Sequence, residues 1–303
     1  MFSIIILNYK NSQLTLRCID SILKYSEKWR YEIILIDNSG EDHLRLQSYV
    51  EELKEDKVDI KLISPWYNTF FIGWVNLWVS LAKYDIIALV NNDWYFRDSS
   101  LDDLYDFFAS HKSSYSAVTG CIIDGCSKDV SLTGTGALSI WTEIFRITFL
   151  GKICKWFNVY PLFYRKYLLL DRDRGKQSKD IDVACNAYIM FSKNDFENIW
   201  WYDPNLLLYY SEEDFYYKMK NSWKKVRYLH NVRMFHDRWD STKLHQNSKI
   251  IAIMLRDRYL FWEKWHGRFV AHFITLCAII WNPYTMLNWY AIYKEYKLIK
   301  KDI

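Results

Sequence analysis

Ile86-Ile87-Ala88-Leu89-Val90-Asn91-Asn92-Asp93 is the stretch on which the fold turns. Its apolar run needs no polar alternation, which predicts a strand covered on both faces within a parallel sheet. The run stops abruptly at Asn91-Asn92-Asp93. The same signature recurs upstream. Ser3–Leu7 runs into Asn8-Tyr9, Glu32–Ile36 ends in Asp37-Asn38-Ser39-Gly40, and Asp59–Ile63 makes a further β run. Helical spacing lies between them: Asn11 or Ser12 can cap a helix carrying Leu14, Cys18, Ile19, Ile22 and Leu23, and Phe71–Lys83 has a helical period. This alternation predicts an α/β protein with a mostly parallel sheet. Its polar residues gather at the carboxyl ends of the strands, where open sheets bind ligands. Asp, Asn, Ser and Gly are also ordinary turn residues. Two clusters on one edge, each with an aspartate beside a buried run, favour a ligand site over mere turns.

Composition narrows the class. The 303 residues are 50% hydrophobic and 25% charged, which excludes a disordered chain. A net charge of +4 fits a phosphate-bearing small ligand or an anionic membrane surface and does not call for nucleic acid. Cys18, Cys121, Cys126, Cys154, Cys185 and Cys277 form no CxxC pair and are expected to be reduced, mostly buried thiols. Met1 runs into an apolar strand without a basic leader or small-residue cleavage site, so a cytoplasmic location is expected. No GxGxxG follows the first strand and no GxxxxGK[ST] is present. A site that handles a diphosphate without a glycine-rich loop needs another positive charge. A divalent cation on carboxylate oxygens is the usual one.

Motifs in a fixed order carry a resemblance. Ser3-Ile4-Ile5-Ile6-Leu7-Asn8-Tyr9, Leu35-Ile36-Asp37-Asn38-Ser39, Asn68 to Asn76 (NTFFIGWVN) and Leu89-Val90-Asn91-Asn92-Asp93 come first. Val183-Ala184-Cys185-Asn186-Ala187, Trp200-Trp201-Tyr202-Asp203, Tyr210-Ser211-Glu212-Glu213-Asp214 with Lys218, and Met234-Phe235-His236 follow. Together they resemble the inverting family-2 glycosyltransferases of GT-A fold, and within them the rhamnosyltransferase-like branch.

The resemblance implies a nucleotide-sugar donor, dTDP-rhamnose or a UDP-sugar, and a glycan or lipid-linked acceptor. It implies Mg²⁺ or Mn²⁺ held by Asp93, with His236 as second protein ligand; the family's Asp-x-Asp reads Asn91-Asn92-Asp93 here. Asp37 would meet the base or ribose, with Asn8, Tyr9, Asn38, Asn68, Asn76, Asn91 and Asn92 around the donor. The general base lies among Glu212, Glu213 and Asp214, whose mutual repulsion raises at least one pKa. Acidic residues also suit the first turn of a helix. Counting back from Lys218 selects Glu212; reading Glu213-Asp214 as the family's Glu-Asp pair selects Asp214, the favoured choice by motif identity.

The expected organisation is a catalytic domain over 1–245, divided into a donor half (1–100) and an acceptor half (101–245), and a helical tail over 246–303. From Phe269 to Tyr293 the tail carries no Lys, Arg, Asp or Glu, and Asn282-Pro283 should break its helix. Arg256, Arg258, Lys264 and Arg268 precede it, and Lys294, Lys297, Lys300 and Lys301 follow. The reading is two interfacial helices on the inner face of the membrane, so that the protein is peripherally associated. A hairpin packed on the catalytic domain or a homodimer interface is the alternative. Competing functions are a nucleotidyltransferase, for which Ser3–Gln13 lacks the glycine-rich basic loop, and a non-catalytic carbohydrate-binding relative. The chain also has 9 Gly and 15 Trp, where average usage gives about twenty glycines. Trp74, Trp78, Trp201 and Trp223 stand where the family pattern has glycine. Either the acceptor site is aromatic-rich, or UGA is read as glycine in the host and printed here as tryptophan.

Overall fold

The computed structural model describes residues 1–65, 70–125, 130–131, 133–157, 159–168, 175–199, 201–220, 222–236 and 247–302. Cys126 and Trp200 lie outside the described residues. The chain begins β1 (Phe2–Asn8), α1 (Ser12–Tyr25), β2 (Tyr31–Asp37), α2 (His43–Glu55), β3 (Ile60–Ile63), α3 (Phe70–Leu81) and β4 (Ile86–Asn91). It continues with β5 (Trp94–Tyr95), α4 (Ser100–His111), β6 (Tyr115–Asp124), β7 (Val130–Ser131), β8 (Gly134–Thr135), α5 (Ile140–Ile147), α6 (Phe149–Trp156) and α7 (Leu162–Tyr167). Then come β9 (Lys179–Ile181), β10 (Val183–Ala184), β11 (Tyr188–Ser192), α8 (Lys193–Asn198), α9 (Ser211–Met219) and β12 (Lys225–His236). Four helices close the chain: α10 (Ser248–His266), α11 (Arg268–Ile280), α12 (Pro283–Leu287) and α13 (Trp289–Asp302).

The main sheet runs β3-β2-β1-β4-β11-β6-β12-β5, with β7 beside β6 and β9 beside β12. β3, β2, β1 and β4 are mutually parallel; β11 enters antiparallel between β4 and β6, and β12 returns parallel to β6. The architecture is the expected α/β fold, a mixed and mostly parallel sheet consistent with GT-A. Alternate residues of the first strands face opposite layers. Ile5, Ile34, Ile36 and Leu89 join α3, α9, α10 and α11 on one side, while Ile4, Ile6, Ile33, Leu35 and Val90 join α1, α2 and α4 on the other. Asn11 caps α1 by accepting from the Leu14 amide (3.3 Å).

The closing helices do two different things. α10 enters the main core through Phe261 and Trp262, both fully buried. Asp257 Oδ2 accepts the amides of Leu207 (3.1 Å), Leu208 (2.9 Å) and Tyr209 (3.0 Å). The cations before the apolar stretch are therefore not a free basic flank. Arg258 pairs with Glu143 (2.9 Å), Lys264 with Asp203 (2.7 Å) and Asp214 (2.6 Å), Arg256 with Asp257 (3.0 Å) and Arg268 with Glu263 (2.9 Å). Asn282 does interrupt the helices, capping α12 through the amides of Tyr284 and Thr285. No helix among the described residues is long and apolar enough to cross a membrane.

Candidate active site

Parallel register brings the polar strand ends together: Asn8 lies opposite Asp37, and Leu7 opposite Asn91. Asp37 is fully buried. Its Oδ1 accepts from Asn8 Nδ2 (3.0 Å), Ser39 Oγ (3.0 Å) and the amides of Ser39 and Gly40 (3.3 Å each). Gly40, at φ +67, makes a turn that disfavours a side chain. Oδ2 is buried without a partner. One oxygen thus builds the turn, and the other is a buried acceptor that the turn does not use.

The neighbouring donor candidates divide in the same way. Asn8 Oδ1 accepts from Thr15 Oγ1 (2.7 Å), and Asn92 Nδ2 donates to that hydroxyl (2.9 Å), so both asparagines brace the aspartate. Asn38 donates its amide to the Asn8 carbonyl (2.9 Å), Asn91 donates its amide to the Ala187 carbonyl (3.0 Å), and Tyr9 is half exposed at the rim. Asn76 commits both ends of its amide to Tyr202, donating to its carbonyl (2.9 Å) and accepting its N–H (3.0 Å). That geometry fits it for holding the Tyr202 turn and not for contact with a donor. Asn68 lies outside the described residues.

Asp93 follows β4, and β5 after it pairs with β12 so that Trp94 stands opposite His236. This pairing brings two residues 143 positions apart into contact: His236 Nε2 lies 2.9 Å from Asp93 Oδ2. Asp93 Oδ1 is buried and unpartnered. Among the described residues there is no group of three or more His, Cys, Asp or Glu side chains able to hold a metal. One carboxylate and one imidazole fit a divalent cation whose remaining ligands come from a diphosphate and water.

The acidic cluster opens α9 behind Tyr210, which takes the left-handed conformation at φ 64. Glu212 and Glu213 line a cavity of about 360 Å³ with Thr135, Tyr167, Arg146 and Arg258. Burial and the neighbouring Glu212 push Glu213 up to about 7. Burial also raises Glu212, against hydrogen bonds from the Asn186 amide (3.4 Å) and Ser211 Oγ (3.1 Å). Behind the cavity's Tyr210, Arg146 and Arg258, buried Glu143 accepts from Tyr210 Oη (2.7 Å), Arg258 Nε (2.9 Å) and Arg146 Nη2 (2.6 Å). Burial pushes Glu143 upward, but the two guanidiniums prevail and hold it below the ordinary carboxylate value.

Asp214 is placed differently. It is fully buried, accepts from Lys264 Nζ (2.6 Å) and Trp265 Nε1 (2.9 Å), and lies 3.0 Å from Lys218 Nζ. It does not line the cavity. Asp214, the favoured base by motif identity, is thus held by Lys264, Trp265 and Lys218 and lies off the cavity that Glu212 and Glu213 line.

A short connection ties the two halves together. Ala187 is bonded to Asn91 beside the metal candidate, and Asn186 to Glu212 and Ser211 beside the cavity. The Cys185 thiol is pushed up to about 12 by burial and then by the carboxylates of Glu212, Glu213 and Asp93, so it senses both sides.

A family model for glycosyl transferase family 2 matches residues 3–200. The chain belongs to that family. Solved structures share the fold at low identity. The mannosyltransferase PcManGT of Pyrobaculum calidifontis, in complex with GDP-Man and Mn²⁺, matches with TM-score 0.57 and 11% identity, over 97% of this chain and 72% of that one. GalNAc-T7 with UDP, GalNAc and Mn²⁺ matches with TM-score 0.57 and 12% identity, over 94% of this chain and 57% of that one. The S. aureus TarS 1-349 structure matches with TM-score 0.50 and 12% identity, over 92% and 70%. No curated relative matches the chain.

This glycosyltransferase has site residues that its sequence did not single out. Arg146 sits three residues after Glu143, a spacing that signals an ion pair on a helix, but nothing local shows that Arg146 also lines a cavity. Arg258, one of the cations that precede the apolar stretch, is only 5% exposed. Asn186 lay inside a quoted motif without a role; its amide and side chain now hold Glu212 and Ser211.

Proposed function

We propose that this glycosyltransferase moves a sugar from a nucleoside-diphosphate donor to a hydroxyl of a glycan or lipid-linked acceptor with inversion at the anomeric carbon. The observation that carries the reading is the contact between Asp93 and His236 at the strand edge, joined through the 185–187 connection to the carboxylates of the cavity. The free oxygen of Asp37 accepts from the nucleoside. Asp93 and His236 would hold Mg²⁺ or Mn²⁺, which supplies charge stabilisation for the leaving diphosphate. Glu212 takes the acceptor proton as the new oxygen–carbon bond forms and the carbon–phosphate-oxygen bond breaks. Glu213 shares the proton load, and Asp214 fixes the start of α9 against α10.

Several finer parts belong to the same proposal. The motif series supports a rhamnosyltransferase-like donor choice, dTDP-rhamnose or a UDP-sugar. Residues 1–100 form the donor half and 101–245 the acceptor half, with α10 of the 246–303 segment bracing the acceptor side. α11 to α13 lie on the inner face of the membrane. A panel of nucleotide sugars, with and without Mn²⁺, tests the activity directly: transfer or donor hydrolysis with one donor is expected. Complete inactivity toward all donors would favour a non-catalytic carbohydrate-binding protein.

A further inference from the structure

The large exposed apolar side chains of this glycosyltransferase fall mostly in two stretches, and only one of them is in the tail. The other is α6, α7 and the turn between them. Trp156 is 86% exposed, Phe157 70% and Leu162 69%, with Leu150 and Phe149 also more than half exposed. This outward display is fixed by packing. A Cβ at Gly151 would lie 2.1 Å from the Phe145 carbonyl, so α6 is held backbone-close against α5 with its other face turned out. Single exposed apolar side chains are ordinary, but so many within one short stretch mark an interaction surface.

The two stretches meet. Phe149 at the start of α6 stacks on Trp281 at the end of α11, with ring centroids 6.4 Å apart and planes 11° from parallel. Their charges agree as well. Residues 144–168 contain no Asp or Glu but carry Lys152, Arg165 and Lys166. Phe269 to Tyr293 carries no charged residue and is followed by Lys294 and Lys297. Apolar and aromatic surface edged by cations matches an anionic bilayer, in which rings sit at headgroup depth and lysines reach the phosphates.

We infer that α6–α7 is a second lipid-contacting element, continuous with the tail, and that the acceptor cavity opens at the edge of an anionic bilayer. The cavity adjoins the same element: Tyr167 at the end of α7 lines it beside Arg146 of α5. An acceptor hydroxyl carried on a membrane-anchored glycan then reaches Glu212 without leaving the lipid boundary. The inference extends the membrane reading of the tail and is separable from it.

The test uses the intact chain and vesicles of phosphatidylglycerol and phosphatidylcholine. One variant carries Trp156→Glu and Leu162→Glu, the other Phe269→Glu and Leu287→Glu; circular dichroism and donor hydrolysis check that both fold. The first pair is expected to weaken vesicle binding about tenfold or more. Hydrogen exchange in 149–163 is expected to slow when wild type binds the vesicles. Wild-type binding by the α6–α7 variant, with no protection of 149–163, overturns the inference even if the tail variant dissociates, which leaves the tail reading intact. Loss with both variants supports the inference, and loss with the α6–α7 variant alone overturns its continuity with the tail. Absence of vesicle binding by wild type, or protection of 149–163 by self-association alone, overturns the inference too.

Discussion

Glu213→Gln isolates the electrostatics of the acidic cluster. Burial beside Glu212 raises the Glu213 carboxyl from an ordinary 4.5 to about 7. A rise of that size corresponds to roughly 3 kcal/mol of preference for the neutral form, which contact with solvent in the cavity reduces to about 1–2 kcal/mol. Because the folded value lies above the unfolded one, the folded state holds the proton more tightly. The stabilisation from that proton is complete below about pH 4.5 and is lost as pH rises through about 7. Glutamine keeps the shape and carries no charge, so the variant should match wild type near pH 4.5 and exceed it by about 1–2 kcal/mol at pH 8. Urea denaturation at both pH values measures this. Turnover gives a second reading. Burial and not Glu213 raises the Glu212 carboxyl, so Glu212 ionises first and the acid limb of kcat/KM should stay in place in the variant. Equal stability of both proteins across the range would refute the account of a proton held on Glu213.

Asp93→Ala should reduce turnover by at least about a hundredfold, and EDTA should do the same to wild type; full activity in EDTA would remove the metal from the reading. Glu212→Gln should lower kcat by orders of magnitude while donor affinity, measured by calorimetry, survives, and normal turnover would place the base elsewhere. Asp257→Ala leaves three backbone amides without their shared acceptor, and such charged hydrogen bonds contribute about 1.5–3 kcal/mol each without full additivity. A loss of more than about 3 kcal/mol is expected in urea, with slower turnover because this strand of chain leads into Glu212; a loss below about 1 kcal/mol would show that α10 is not what holds it. Trp201 takes a left-handed φ of 62, which costs a residue with Cβ about 1–2 kcal/mol. Trp201→Gly should therefore lie within about 1 kcal/mol of wild type despite losing its edge contact with Phe196. If UGA is the codon at 74, 78, 201 and 223, glycine is the host's residue; UGG there refutes that origin.

What could be read from the chain, and what could not, follows the range of the interactions. β1, β2 and β4 were legible because each is an apolar run ending in polar residues, and a parallel sheet lines such ends up whatever the rest of the chain does. His236 ends a strand run and Asp93 follows one by two residues, so their place at the strand edge could be read, while their contact comes from the pairing of β5 with β12. Which of the three carboxylates faces the cavity was not legible. Glu212, Glu213 and Asp214 are adjacent, so only the rotation of α9 decides which faces the cavity and which faces Lys264 and Trp265 of a helix some fifty residues on. The pairing of the basic residues before the tail is hidden in the sequence for the same reason. Arg258 looks like a cation waiting for lipid until Glu143, 115 positions earlier, is seen beneath it. The tryptophans divide on this basis as well. Trp74 and Trp78 are buried and stacked on each other 5.8 Å apart within α3, whereas Trp201 sits at a left-handed turn and Trp223 is 72% exposed. A family glycine replaced inside a helix can be absorbed by new packing, because helical φ admits any side chain. At a left-handed turn no packing removes the clash of Cβ with its own backbone, so Trp201 is the position where the choice between glycine and tryptophan has the clearest physical consequence.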